Sequence, residues 1–245
     1  MSFDDTELVL VGLIFLWAGF VRTGLGFGGA ALGLPLMLLV GSTPAYWLPI
    51  IGIHLLFFSS LTLAKSLKKV DWPYLKRSLL WIIPPTLVGV AGLLSLPDDV
   101  IVVFIYSITI FYAITWIFNT KIASHSPWVD KLLLVLGGYV AGTSLTGAPL
   151  IVAVYMRHVA KEYLRNTLFV LWFILVSIKM ITFVIMNVDI DWEFSLLLIP
   201  VAAIGHVLGI KAHQSITQND EAFKRWVGGA LFVISSFGLF KLFLS

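Results

Sequence analysis

The sequence predicts an all-α polytopic membrane protein made of two inverted repeats, each a broken, re-entrant-like helix hairpin followed by three transmembrane helices. Three observations predict it: the composition, the distribution of charge between the loops, and two polar interruptions at matching places in the chain. Of the 245 residues, 59% are hydrophobic and 12% charged, and mean hydropathy is +0.99. A soluble domain carries roughly 45–50% apolar and about 25% charged residues. The composition excludes that class, and it also excludes a disordered chain and, with no cysteine, a disulfide scaffold.

A spanning helix needs about 20 mostly apolar residues. Apolar stretches run at 8–40, 44–64, 75–94, 98–118, 131–156, 166–186, 192–210 and 226–244, and the last repeat's helices extend to 162–186 and 222–244 when their polar first turns are included. Almost nothing remains for a soluble catalytic, nucleotide-binding or DNA-binding module, and a scattered net charge of +3 does not suggest a nucleic-acid partner. Residues Met1 to Glu7 are acidic, unlike the positively charged start of a cleaved signal peptide.

Charge placement sets the orientation. Lys65, Lys68, Lys69, Lys76 and Arg77 crowd one loop, Lys121 and Lys131 a second, Arg157, Lys161 and Arg165 a third, and Lys211, Lys224 and Arg225 a fourth. The positive-inside rule makes all four cytoplasmic. The other connections carry Asp4, Asp5 and Glu7, then Asp98 and Asp99, then Asp189, Asp191 and Glu193, with no Lys or Arg among them. Both termini are therefore expected on the non-cytoplasmic side of a cell (inner) membrane.

That assignment conflicts with one crossing per apolar stretch. Between the outside N-terminus and the inside loop at 65–77 only an odd number of crossings fits, yet 8–40 and 44–64 would make two. The same conflict recurs between the basic loops at 119–131 and 157–165. In both places the offending stretch is interrupted by helix-weakening residues, Arg22-Thr-Gly-Leu-Gly-Phe-Gly-Gly29 in the first and Gly142-Thr-Ser-Leu-Thr-Gly-Ala-Pro149 in the second. If each interruption is the tip of a hairpin that enters and leaves on one side, every loop charge falls where the rule wants it.

The first repeat, 1–122, then starts outside, and the second, 123–245, starts inside, so the two are inverted. Inverted repeats with interrupted helices at matching positions point to a secondary transporter whose site lies near the midplane at the breaks. Hairpin limbs of about 11 to 16 residues would be roughly 17 to 24 Å long at 1.5 Å per residue, which leaves open whether they are re-entrant or full spans.

At these residues the chain resembles a known family. Gly24-Leu-Gly-Phe-Gly-Gly29, followed by Leu34-Pro-Leu-Met-Leu38, Gly41 and Pro44, is similar to the first-repeat motif of the TauE/SafE family of sulfite and organosulfonate exporters. Thr146-Gly-Ala-Pro149, followed by Tyr155-Met-Arg157 and Leu164-Arg-Asn-Thr167, is similar to its second-repeat motif. Ala30 and Ala148 depart from the glycine or proline common at those places. The resemblance covers essentially the whole chain and implies a transporter of small sulfur-containing or other organic anions, usually exported.

The residue chemistry agrees. All 13 Asp and Glu residues lie in termini, loops or helix ends, leaving Arg22, His54, Lys179 and His206 as the ionisable groups inside. Such groups are costly in hydrocarbon and are functional candidates by default. A site with cationic and neutral groups alone selects anions. Helices restarting at Gly28 to Ala31 and Gly147 to Leu150 would aim unpaired N–H groups and positive dipole ends at the breaks. The expected substrate-binding residues are thus Arg22, Thr23, Gly24, Gly26, Gly28, Gly29, Thr143, Ser144, Thr146, Gly147 and Ala148, with His54 and Lys179 in coupling or anion attraction.

Each choice has a plainer alternative. The glycines could serve close helix packing, Arg22 could snorkel, Lys179 could bond a carbonyl, and His54 and His206 could be hydrogen-bonded packing residues. Trp47, Trp72, Trp81, Trp116, Trp128, Trp192 and Trp226 read as interfacial anchors. Gly24-x-Gly-x-x-Gly29 formally matches a dinucleotide fingerprint, but it follows an apolar helix and no acid occurs at 40–52, so NAD binding is rejected. No phosphate-binding GxxxxGK[ST] motif is present, and no cofactor or metal is expected. The expected function is a secondary carrier of a small sulfur-containing anion, with an anion channel or facilitated uniporter as the alternative and no enzyme activity. The sequence leaves coupling ion and oligomeric state open.

Overall fold

The computed structural model describes residues 3–25, 29–63, 67–120, 122–218 and 220–244. Every regular element among them is helical: α1 (Asp5–Leu25), α2 (Gly29–Val40), α3 (Pro44–Leu63), a 3-10 turn at Leu67–Lys69, α4 (Trp72–Ser95), α5 (Asp98–Ile117), α6 (Pro127–Ser144), α7 (Ala148–His158), α8 (Lys161–Ile185), α9 (Trp192–Leu197), α10 (Ile199–Gln218) and α11 (Asp220–Leu244). Seven candidate spans among the described residues are long and apolar enough to cross a membrane, which agrees with the expected polytopic class.

Local chemistry sets the helix ends. The Asp71 carboxylate accepts from the Tyr74 N–H at 3.0 Å, Ser126 Oγ from Val129 at 3.3 Å and Asp191 from Phe194 at 3.0 Å, capping α4, α6 and α9. Helices α5 and α8 stop alike. Asn119 and Asn187 take left-handed φ values of 50° and 52°. The next residue's N–H then reaches back to the helix, Thr120 to Thr115 O at 2.7 Å and Val188 to Phe183 O at 2.9 Å, which satisfies carbonyls that the helix end would orphan. Pro200, which has no N–H to give, accounts for the one-residue interruption between α9 and α10.

Both interrupted stretches double back. A Cβ added at Gly29 would lie 2.9 Å from Arg22 Cβ and 3.1 Å from the Ala18 carbonyl, and one at Gly33 would lie 3.3 Å from Ala18 Cβ, so α2 returns antiparallel along α1. Likewise Gly147 packs on Gly137 and Ala141, and Ile151 lies beside Gly137, which returns α7 along α6. The returning limbs match the sequence expectation of 11 to 16 residues and the outgoing limbs exceed it. The outgoing limbs have 21 residues in α1 and 18 in α6, and the returning ones 12 and 11. At 1.5 Å per residue the outgoing limbs are about 31 and 27 Å long and the returning ones about 18 and 17 Å. The reason is that Thr23 and Gly24 lower helix propensity without ending a helix whose backbone groups have no water to turn to.

The helices form two compact units, each drawing on both halves of the chain. One contains α1, α2, the start of α3, α5, α9, α10 and α11. In it α1 packs along α10 at very close range, because Gly205 and Gly209 present bare backbone to the Leu16 and Phe20 carbonyls. Its small core of Val21, Leu32, Ala113, Val227 and Leu231 is buried. The other contains the rest of α3, α4, α6, α7 and α8. There Gly138 and Gly142 of α6 meet the Ile82 and Thr86 carbonyls of α4, and a larger core gathers Leu75, Ile82, Leu134, Ile151, Val154, Tyr155, Leu171 and Leu175. In each unit a hairpin's outgoing limb thus runs beside a long helix across a small-xxx-small stripe, the motif by which helices approach closely in lipid.

Trp47 is corrected from an interfacial anchor to a core residue. It is fully buried, stacks on Phe3 at 5.6 Å and donates its indole N–H to Gly41 O at 2.7 Å. Trp72, Trp81, Trp128, Trp192 and Trp226 are exposed, as anchors should be.

Candidate functional site at the helix breaks

In the α6–α7 hairpin the break is three residues long. Leu145 caps α6 in the left-handed region at φ 60°, and its N–H closes on Ala141 O at 3.0 Å. That leaves the Gly142 and Thr143 carbonyls at the negative end of the α6 dipole without a helical donor. Lys179 of α8 supplies one. Its Nζ lies 2.6 Å from Gly142 O and 3.1 Å from Thr143 O, on a side chain 1% exposed, with the Phe183 ring 5.6 Å away. The bond to carbonyls that the sequence admitted for Lys179 is therefore made. Among the described residues no carboxylate pairs with it.

The hydroxyls of this break form a chain. Ser144 Oγ donates to Val140 O at 3.0 Å and lies 2.6 Å from Thr146 Oγ1, while Thr143 Oγ1 donates to Tyr139 O at 2.9 Å. Thr143, Ser144, Thr146 and Ala148 are all buried. Across the break α7 begins at Ala148 with no side-chain cap on its first turn. Gly147 cannot carry a side chain, because a Cβ there would overlap the Gly137 carbonyl. His54 of α3, in the same unit, is 3% exposed.

The α1–α2 hairpin breaks after Leu25, and α2 begins at Gly29. Thr23 is buried, donates to Gly19 O at 3.0 Å and lies 2.6 Å from Nδ1 of His206. Arg22 stands in the last turn of α1, half-buried, with its Cβ against Gly29. Gly24 is buried at the same helix end. Gly26 and Gly28 lie outside the described residues.

Sequence reasoning missed one polar cluster. At the loop end of the second hairpin, Asp130 takes Arg157 Nη1 at 3.2 Å and His158 Nε2 at 2.8 Å, together with the Ser124 hydroxyl, tying the start of α6 to the end of α7. Burial alone would raise the Asp130 carboxyl. The hydrogen bonds from Ser124 and His158 and the charges of His158 and Arg157 outweigh it and hold the group below the ordinary carboxylate range. The available signal was that Asp130 is an acid directly beside Lys131 in a loop otherwise read as basic.

Searches of curated proteins and of solved structures return no match to this chain. A model of the family described as sulfite exporter TauE/SafE matches residues 11–237, from α1 through α11 and across both breaks. It is a family of membrane transporters, not of enzymes, and the seven apolar spans suit a multi-pass protein of that kind. With nearly its whole length matched, the chain belongs to the sulfite exporter TauE/SafE family.

Proposed function

We propose that this protein is a secondary transporter that exports a small sulfur-containing anion, such as sulfite or an organosulfonate, across the cell's inner membrane by alternating access, with the helix breaks supplying the binding groups. The observation that carries the reading is the buried Lys179 side chain, its Nζ donating to the Gly142 and Thr143 carbonyls with no acid paired to it among the described residues. A helix C-terminus offers about half a negative charge, which offsets only part of the lysine's charge when it holds its third proton. In a low-dielectric surrounding that remainder attracts an anion and repels a cation.

The break itself offers donors. The uncapped first turn of α7 presents backbone N–H groups at a positive dipole end, and Thr146 can turn its proton outward if Ser144 donates to it instead. Sulfite and sulfonates offer three acceptor oxygens, which suit several converging weak donors. Arg22, Thr23 and Gly29 supply similar chemistry at the first break. An inside-negative potential favours the export of an anion by roughly 2.3 kcal/mol per charge per 100 mV.

The test is counterflow in liposomes. Purified protein is reconstituted with unlabelled sulfite or an organosulfonate inside and labelled substrate outside. A carrier gives saturable, transient accumulation of label. Unitary currents far above carrier turnover, or no counterflow with any sulfur oxyanion or sulfonate, would overturn the proposal.

A further inference from the structure

At the end of α2 opposite the first break, the unit containing α5 and α11 holds a cavity of about 230 Å³ lined by Ser42, Thr43, Asp98, Asp99, Tyr106 and Lys241, with Leu38, Leu39, Val102 and Leu242 as its apolar wall. Its volume equals roughly seven or eight water molecules at about 30 Å³ each, too large for a bare ion and suited to a small polar group. The cavity is built by the chain. Gly41 at φ 139° and Ser42 at φ 69° turn sharply between α2 and α3, and the Trp47 indole pins that turn through the Gly41 carbonyl. Tyr106, 2% exposed, donates to Pro35 O at 3.4 Å, and its ring lies where any side chain on Gly238 would stand. The missing side chain at 238 makes room for the Tyr106 ring.

Charge gives the cavity its chemistry. Two carboxylates and one ammonium converge on it, yet among the described residues the ion pairs within 4 Å are those of Asp130 alone. Lys241 therefore bonds neither Asp98 nor Asp99. Each charge suits its own helix end, acids in the first turn of α5 and Lys241 in the last turn of α11, which explains its presence on that helix but not the convergence. Opposite charges held apart across a cavity fit a ligand that carries both. Asp98 opens the candidate span Asp98–Ile117 and Lys241 lies in the last turn of the candidate span Glu221–Leu244, which suits a cavity at headgroup level, with leucines and a valine at its wall.

We infer that this cavity binds an ethanolamine phosphate group, its primary ammonium donating to Asp98 and Asp99 and its phosphate accepting from Lys241 and the Ser42 and Thr43 hydroxyls. The inference stands apart from the transported anion. The same chemistry is offered by phosphatidylethanolamine in the bilayer and by free phosphoethanolamine in water, and the experiment separates them.

Native mass spectrometry and thermal unfolding are run on the purified protein with phosphatidylethanolamine, phosphatidylglycerol or phosphatidylcholine of matched acyl chains, and with soluble phosphoethanolamine. The ethanolamine lipid is expected to bind and stabilise most, because the choline headgroup has no N–H and the glycerol headgroup no charge to offer the carboxylates. Loss of a charge-assisted contact in Lys241→Gln or in Asp98→Asn/Asp99→Asn weakens it by about tenfold, while Lys241→Arg keeps it. Stabilisation by soluble phosphoethanolamine equal to that by the lipid assigns the site to the free compound, and stabilisation by the lipid alone assigns it to the bilayer. Equal binding of all three lipids with no effect of the soluble compound, binding unchanged in both charge-removing variants, or a loss in Lys241→Arg as large as in Lys241→Gln overturns the inference.

Discussion

The Nζ of Lys179 lies 2.6 Å from the carbonyl oxygen of Gly142, placing a side-chain donor on the negative end of a helix that stops inside the protein. Two roles follow from that placement, and Lys179→Met separates them. Removing the amine leaves the Gly142 and Thr143 carbonyls without that donor, which costs stability, and ends the desolvation of a buried lysine, which returns part of it. Expected is a melting midpoint within about 4 °C of the parent, a shift worth roughly 1 kcal/mol at this size. Substrate counterflow should fall at least about tenfold, the loss of one charge-assisted contact. Full transport by a folded Lys179→Met protein would leave the lysine a cap and nothing more.

Arg22→Ala removes a charged donor and Thr146→Ala removes a hydroxyl whose present partner is Ser144 at 2.6 Å. Each should weaken binding of sulfite or an organosulfonate by about tenfold if the lost group contacts a charged ligand, with the helical circular dichroism signal unchanged. Calorimetric titration of both variants reads this directly. Unchanged affinity in the two together would move the site away from the breaks.

How much of this was legible in the sequence depends on where each signal resides. The breaks were visible because Gly, Thr, Ser and Pro interrupt apolar runs, and the restarts at Gly29 and Ala148 fall inside the segments read from them. The length of the outgoing limb was not visible, since α1 runs on through Thr23 and Gly24 to Leu25. The depth of Lys179 could be counted along its helix, but its partners are backbone carbonyls, which have no residue code. Trp47 looked like an anchor because only tertiary structure brings Phe3 and Gly41 to it. The mixing of the two halves of the chain within each compact unit rests on pairs such as α1 with α10, too far apart in sequence for any local pattern to announce.

Close helix packing makes a paired prediction about glycine. A Cβ on Gly142 would overlap the Thr86 carbonyl, and one on Gly205 the Leu16 carbonyl, whereas one on Gly12 or Gly229 meets nothing within 4 Å. Backbone cannot step aside as a flexible side chain can. Gly142→Ala and Gly205→Ala should therefore destabilise by about 1–3 kcal/mol, the usual cost of overpacking. Gly12→Ala and Gly229→Ala should be neutral or stabilise by up to about 1 kcal/mol through helix propensity. Thermal unfolding of the four variants in one detergent decides it, and a similar response of all four would mean the glycines are not at a contact.

The Asp130 tie predicts a pH dependence with a definite sign. Its folded-state pKa lies below the ordinary value of about 3.9, so the group binds its proton more readily unfolded than folded. Its stabilising contribution is full above the unfolded value and is lost as pH falls through the lower, folded one. The groups facing it are Ser124, Arg157 and His158. With Arg157 and His158 about one third exposed, Asp130→Asn should cost on the order of 1–2 kcal/mol near pH 7, less than for a fully buried pair. The gap between parent and variant should hold from pH 7 to about pH 4 and shrink only below it. A gap unchanged down to pH 3 would show that the carboxylate charge is not what ties the two limbs.

Orientation follows from loop charge, and the chain is well suited to testing it because it contains no cysteine. Ser42→Cys sits in the turn between α2 and α3, and Ala160→Cys in the exposed connection between α7 and α8 beside Arg157 and Lys161. The positive-inside rule puts the basic connection in the cytoplasm, and a first hairpin that returns to its side of entry puts position 42 with the acidic N-terminus outside. A membrane-impermeant maleimide added to intact cells should therefore label the Ser42→Cys protein and spare the Ala160→Cys protein, with the pattern reversed in inside-out vesicles. Labelling of both variants from one face would mean that one hairpin crosses the bilayer an odd number of times, and the two halves of the chain would then no longer have opposite orientation.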